Sequence, residues 1–234
     1  MSKRLASFKG PSAPTSSPVL QPTQPVIPPT SPSRLSETTC HRRLRTLLQE
    51  LRSISQTWDD IVLVDGLREA RTLVDARTEL DNMLSLLPPD SEPRSEIVGP
   101  KLAIMDNSIA QLDAIAAKLQ KLLRRMSTVL DNLEASYHEA QRTKGARWCQ
   151  EEALWVSWPL EKFVKSMADV ELPYHRSLAL IKDIIDRLRS HSITFEASRD
   201  AISQWVEQPY LAEDGWEGKW EDLCAVEVER WDAK

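Results

Sequence analysis

The residues able to do chemistry are few in this sequence and far apart. His41, His138, His175 and His191 stand at no spacing that would let them share a metal ion with cysteines or carboxylates. Cys40 and His41 are immediate neighbours, a poor geometry for joint coordination. Cys40, Cys149 and Cys224 are an odd, widely spaced set, unlike a disulfide framework. Cys149 reads as a small buried hydrophobe rather than a nucleophile. The acid pairs Asp59-Asp60 and Glu151-Glu152 are adjacent, and adjacent residues on a helix point apart, so their expected role is solvation. No Gly-rich loop precedes a Lys-Ser or Lys-Thr pair, so no phosphate cradle is visible. No catalytic residue, metal ligand or cofactor is expected, and the protein is not expected to be an enzyme.

The elements that would position any site are helices. The chain has 234 residues with 15 prolines but only 6 glycines. Pro11, Pro14, Pro18, Pro22, Pro25, Pro28, Pro29 and Pro32 all precede residue 36. Repeated proline blocks both helix and ladder hydrogen bonds, so residues 1–36 are expected to be a disordered Pro/Ser-rich tail. Within it, Ser31-Pro32-Ser33-Arg34 fits the full proline-directed kinase pattern and Ser17-Pro18 the minimal one. Phosphate on either serine would add roughly −2 charge to a basic tail. Beyond the tail, Leu, Ala, Arg, Glu and Asp predominate, a helix-forming mixture.

Residues 37–144 read as a long helical hairpin, the pattern of a coiled coil. Leu44, Leu47, Leu51, Ile54, Trp58 and Ile61 recur at steps of three and four. The phase slips around Gly66 and resumes through Leu73, Ala76, Leu80, Met83 and Leu87, which predicts a stutter or kink. Pro88-Pro89 ends this arm, and a polar loop is expected to run to Pro100. From Leu102 through Ile109, Leu119, Met126 and Leu133 to Ala140 the 3-4 spacing is unbroken, a helix of roughly 58 Å. Each large apolar residue on that stripe is worth about 1.5–3 kcal/mol only when something covers it. The first arm is the natural antiparallel cover.

Residues 145–234 read as a Trp-rich helical cap with an acidic end. Trp148, Trp155 and Trp158 cluster, and Pro159 suits the first turn of a new helix. Phe163, Met167, Val170, Tyr174, Leu178, Ile181, Ile185 and Leu188 mark one apolar face, with a kink or break expected at Pro173. A helix near 195–206 carries Phe195, Ile202 and Trp205, and Gln208-Pro209-Tyr210-Leu211 is expected to leave it extended. The last segment carries Trp216, Trp220, Leu223, Glu227 and Trp231 at helical spacing. Its acids make it either a docking surface for a basic partner or a solvated helix face. Net charge is −5, too small to imply direct nucleic-acid binding. No apolar run approaches the roughly 20 residues that span a bilayer, so no membrane contact is expected. The fold class is all-α, and the nucleus and cytoplasm are the expected location.

Three stretches carry a resemblance. Thr57-Trp58-Asp59-Asp60-Ile61-Val62-Leu63, then Trp158-Pro159 ahead of a helix with Tyr174, then Trp205-Val206-Glu207-Gln208-Pro209-Tyr210-Leu211 together look like the cyclin-dependent kinase 2-interacting protein family. The Trp-x-x-Gln-Pro-Tyr element is the most specific of them. Pro173 and the long acidic end depart from that pattern. The resemblance implies a non-catalytic adaptor that pairs with a second small helical protein and an AAA ATPase. It further implies roles in large ribosomal subunit maturation and genome maintenance, and binding to a cyclin-dependent kinase. Trp58, Trp158, Pro159, Tyr174, Trp205, Gln208, Pro209 and Tyr210 are the candidate partner-binding residues. Aromatics at helical spacing either fill a core or anchor a partner, and both roles stay open here. Two rivals stand beside this reading. One is a cell-cycle regulator phosphorylated on Ser31, with Arg45-Thr46-Leu47-Leu48 resembling a cyclin-docking Arg-x-Leu element. The other is a coiled-coil subunit of a kinetochore or trafficking complex.

Overall fold

Thr38 opens the first helix: its backbone N–H donates to His41 Nδ1 at 3.2 Å, answering one end of the new turn. A computed structural model describes residues 37–88, 95–212 and 214–229. The expected disorder of the tail, Ser17, Ser31 and Trp231 lie outside the described residues. The described chain is all-α and contains no strand. Helix α1 (Thr39–Asp60) passes through a π-helical turn (Ile61–Gly66) into α2 (Leu67–Leu86). Then follow α3 (Ser95–Lys144), α4 (Ala146–Glu151), α5 (Leu160–Met167), α6 (Glu171–Arg189) and α7 (Phe195–Glu207). A last helical stretch runs over 217–229.

Helix α3 is the central strut, and cross-helix polar pairs give its register. Arg43 meets Glu139 at 2.8 Å and Arg125 meets Glu50 at 2.9 Å, while Lys101 pairs with Glu79. As residue numbers rise along α1 and α2 they fall along α3, so the two arms run antiparallel. Helix α6 lies on another side of α3, again antiparallel: Arg189 bonds Asp113 at 2.7 Å and Lys182 bonds Gln120 at 3.0 Å. Helix α7 then rests on α2 and α6. Leu51, Leu73, Leu112, Leu119, Ile184 and Ala201 are sealed between these helices.

Three local expectations change. The stretch before Pro100 is not a loop throughout, because α3 begins at Ser95 and takes Pro100 inside it. Pro100 lies in the second turn on an exposed side of the helix, where the missing N–H forfeits one bond near a helix end. At the other end Gly145, with φ 91°, stops α3 as only a glycine does cheaply. The expected break falls at 168–170 instead of at Pro173, which occupies the first turn of α6 where no intrahelical N–H is needed. Gln208 to Leu211 does not run extended. Gln208 adopts a left-handed conformation (φ 40°) and its carbonyl accepts the Leu211 N–H at 2.8 Å, making a tight turn.

Candidate functional site

The phase slip of the sequence becomes a π-turn with a visible cause. Winding Ile61–Gly66 more widely carries the buried stripe from Trp58 through Val62 to Gly66 and on to Ala70. The Val62 carbonyl accepts the N–H of Leu67, five residues on, and also the Trp205 indole N–H at 2.9 Å. Gly66 admits that ring: a Cβ there would stand 2.5 Å from Trp205 Cζ2. Helix α7 is thus keyed into the first arm at one turn.

Tyr174 joins the same place from α6. Its ring meets Trp58 edge-on, with centroids 5.2 Å apart and planes at 87°. Its hydroxyl shares a hydrogen bond with Ser55 Oγ at 2.6 Å and accepts the Trp216 backbone N–H at 3.3 Å. Burial pushes the phenol above its ordinary range, holding it neutral. Gln208 Nε2 donates to Asp59 at 3.4 Å. Trp58, Tyr174, Trp205 and Gln208, drawn from three distant segments, therefore meet in one cluster. Trp58, Tyr174 and Trp205 are core residues, while Pro209 and Tyr210 lie exposed on the turn beyond.

Trp158 and Pro159, both half-buried, belong to a neighbouring group. Trp158 tilts against Phe163 at 5.4 Å and meets Trp220 edge-on at 6.1 Å, and Trp220 stacks on Trp216 at 6.2 Å. Trp216 leads back to Tyr174, so a nearly continuous aromatic path links the two groups. At its far side Trp155 contacts Phe163 and His41, the latter donating from Nε2 to the Leu154 carbonyl at 2.6 Å.

The described part of the acidic end has two faces: Glu217, Asp222 and Glu229 are exposed, while its aromatic face packs inward. Trp216, Trp220 and Val228 are buried, and Glu227 is 2 % exposed. The Glu227 carboxylate accepts the backbone N–H groups of Val156, Ser157 and Trp158 at 3.0–3.3 Å and the Ser157 hydroxyl at 2.5 Å. Burial alone would raise this carboxyl, but the four hydrogen bonds outweigh it and hold the group below the usual glutamate range. Arg52 adds outer ion pairs to Glu221 and Glu229. Glu227, Trp216 and Trp220 thus fasten this stretch to the rest of the fold. Helical spacing puts the three on one face, but does not say what that face meets.

Between the π-turn and the Gln208 turn lies a cleft of about 360 Å³. Leu63 and Val206 line it and remain 39 % and 43 % exposed. Asp59, Glu207 and Glu217 also line it, with no Lys, Arg or His among the described lining residues. Burial drives the Asp59 carboxyl up, Gln208 partly offsets this, and Glu217 and Asp60 add to the rise. The cleft can hold an apolar side chain beside a cation. Among the described residues no group of three His, Cys, Asp or Glu side chains could hold a metal ion. No described helix is long and apolar enough to cross a membrane. Compared with known proteins, the chain matches no family model and no curated protein.

Proposed function

We propose that this chain is a non-catalytic adaptor, a scaffold subunit in the manner of the family it resembles. In this reading the α1–α2 arm and α3 form an antiparallel coiled coil, and residues 145–234 form its C-terminal helical cap. It pairs with a second small helical protein, and the pair docks on an AAA ATPase in nucleus and cytoplasm. Its work is recruitment and positioning during large ribosomal subunit maturation and genome maintenance, with ATP turnover left to the ATPase.

One observation carries the reading. The residues quoted for the resemblance lock three helices together while apolar side chains stay uncovered around them. Leu63, Val64, Val206 and Tyr210 are 39 %, 60 %, 43 % and 42 % exposed, beside a core in which Trp58 and Trp205 are 0 % and 1 % exposed. Rigid aromatic support beneath exposed apolar groups is what a docking surface needs, since little ordering entropy is then lost on binding. The cyclin-docking alternative draws less support, because Leu47 is buried at 7 % exposure inside α1. The test is recovery of the tagged protein from its own cells at mild salt, with stoichiometric partners identified by mass spectrometry. An AAA ATPase accompanied by a small helical protein is the expected result. A kinase–cyclin pair without the ATPase would transfer support to the cell-cycle reading.

A further inference from the structure

The acidic cleft and the N-terminal tail are chemically complementary. Residues 1–36 contain Lys3, Arg4, Lys9 and Arg34 and no Asp or Glu, and they place Leu5 and Phe8 among the first three cations. The cleft presents apolar Leu63 and Val206 beside the carboxylates of Asp59, Glu207 and Glu217. Gln208 lines it too, with its Oε1 buried and without a hydrogen-bond partner. We infer that this cleft is the docking site for the chain's own N-terminal segment, Lys3–Lys9, with Leu5 or Phe8 against Leu63 and Val206 and the flanking cations beside the three carboxylates.

Reach permits it. The tail joins the fold at the start of α1, and Asp59 lies at the other end of that helix, about 30 Å away at 1.5 Å per residue. The chain between Phe8 and Glu37 could span at most roughly 100 Å, well beyond that distance. Docking within one chain has an effective concentration on the order of millimolar, so weak contacts suffice. Cations arriving beside Asp59 would also offset the burial and like-charge repulsion that raise its carboxyl. The inference rests on the chemistry of the cleft and not on the adaptor reading. A partner seated on Leu63 and Val206 would have to displace the tail.

The test is zero-length carbodiimide cross-linking of the full chain, followed by peptide mapping of the monomeric product. The expected result is amide bonds from Lys3 or Lys9 to Asp59, Glu207 or Glu217. Their yield should fall at least about five-fold at roughly 0.5 M salt. It should fall similarly in Leu5→Ser/Phe8→Ser, a variant whose changes lie outside every described helix. Three results would overturn the proposal. These are tail lysines bonded to surface carboxylates without preference, bonds to the cleft found only between two chains, or a yield indifferent to Leu5→Ser/Phe8→Ser.

Discussion

The Trp205 indole N–H meets the Val62 carbonyl oxygen at 2.9 Å, joining residues 143 positions apart. The contact depends on a π-turn that offers this carbonyl to a side chain and on a glycine that leaves room for the ring. It holds α7, and with it the wall of the cleft, against the first arm.

Gly66→Ala should therefore destabilise the protein although alanine favours helix by about 1 kcal/mol. The new Cβ would lie 2.5 Å from Trp205 Cζ2, and overpacking costs about 1–3 kcal/mol. Trp205→Phe frees that space at the expense of the Val62 bond. In a double-mutant cycle read by denaturant midpoints, Gly66→Ala should cost about 1 kcal/mol less in the Trp205→Phe background. Strict additivity would mean that the ring and the glycine do not constrain each other.

Glu227 should act as the latch of the C-terminal stretch. Hydrogen bonds to a charged group are worth about 1.5–3 kcal/mol, so Glu227→Gln should loosen 217–229 by that order. Limited proteolysis should then cut this stretch first. Because the folded carboxyl titrates below its ordinary 4.5, its contribution is complete above that value and fades as pH falls below it. The substitution should flatten that part of the acid profile. Arg52→Ala, which removes ion pairs open to solvent on one side, should change stability by no more than about 1 kcal/mol. An equal effect of the two substitutions would remove Glu227 from its special role.

His41 gives a second pH signature. Burial lowers its folded value below the ordinary 6.5, even against the bond to the Leu154 carbonyl. The unfolded chain then takes up a proton that the native chain resists, so stability should decline as pH drops below 6.5 and level off beneath the folded value. His41→Gln should remove that component of the slope, measured by thermal midpoint across pH.

What the sequence shows and what it hides divide along a physical line. The α3 stripe is legible because a 3-4 spacing from Leu102 to Ala140 has one helical solution. The slip near Gly66 is legible as an irregularity, yet its cause, Trp205, is distant in the chain. Glu227 shares the helical register of Trp216, Trp220 and Leu223, yet only tertiary structure shows it facing three backbone donors. Pro100 reads as a loop marker because proline usually stops helices, but near a helix end its cost is small enough for packing to override. Trp58, Tyr174, Trp205 and Gln208, which carry the resemblance, meet in space. Pro209 and Tyr210, which carry it too, stay on the exposed turn.

The adaptor account stands or falls most directly on one affinity purification made in parallel with wild-type chain and a Leu63→Asp/Val206→Asp variant. Both substituted residues are part-exposed, so the variant should keep its helical circular dichroism and a cooperative melt. The account predicts that wild type brings down an AAA ATPase and a small helical protein in stoichiometric amounts, and that the variant loses the ATPase. A wild-type chain recovered alone as a stable monomer, or a variant that retains every partner, would contradict it.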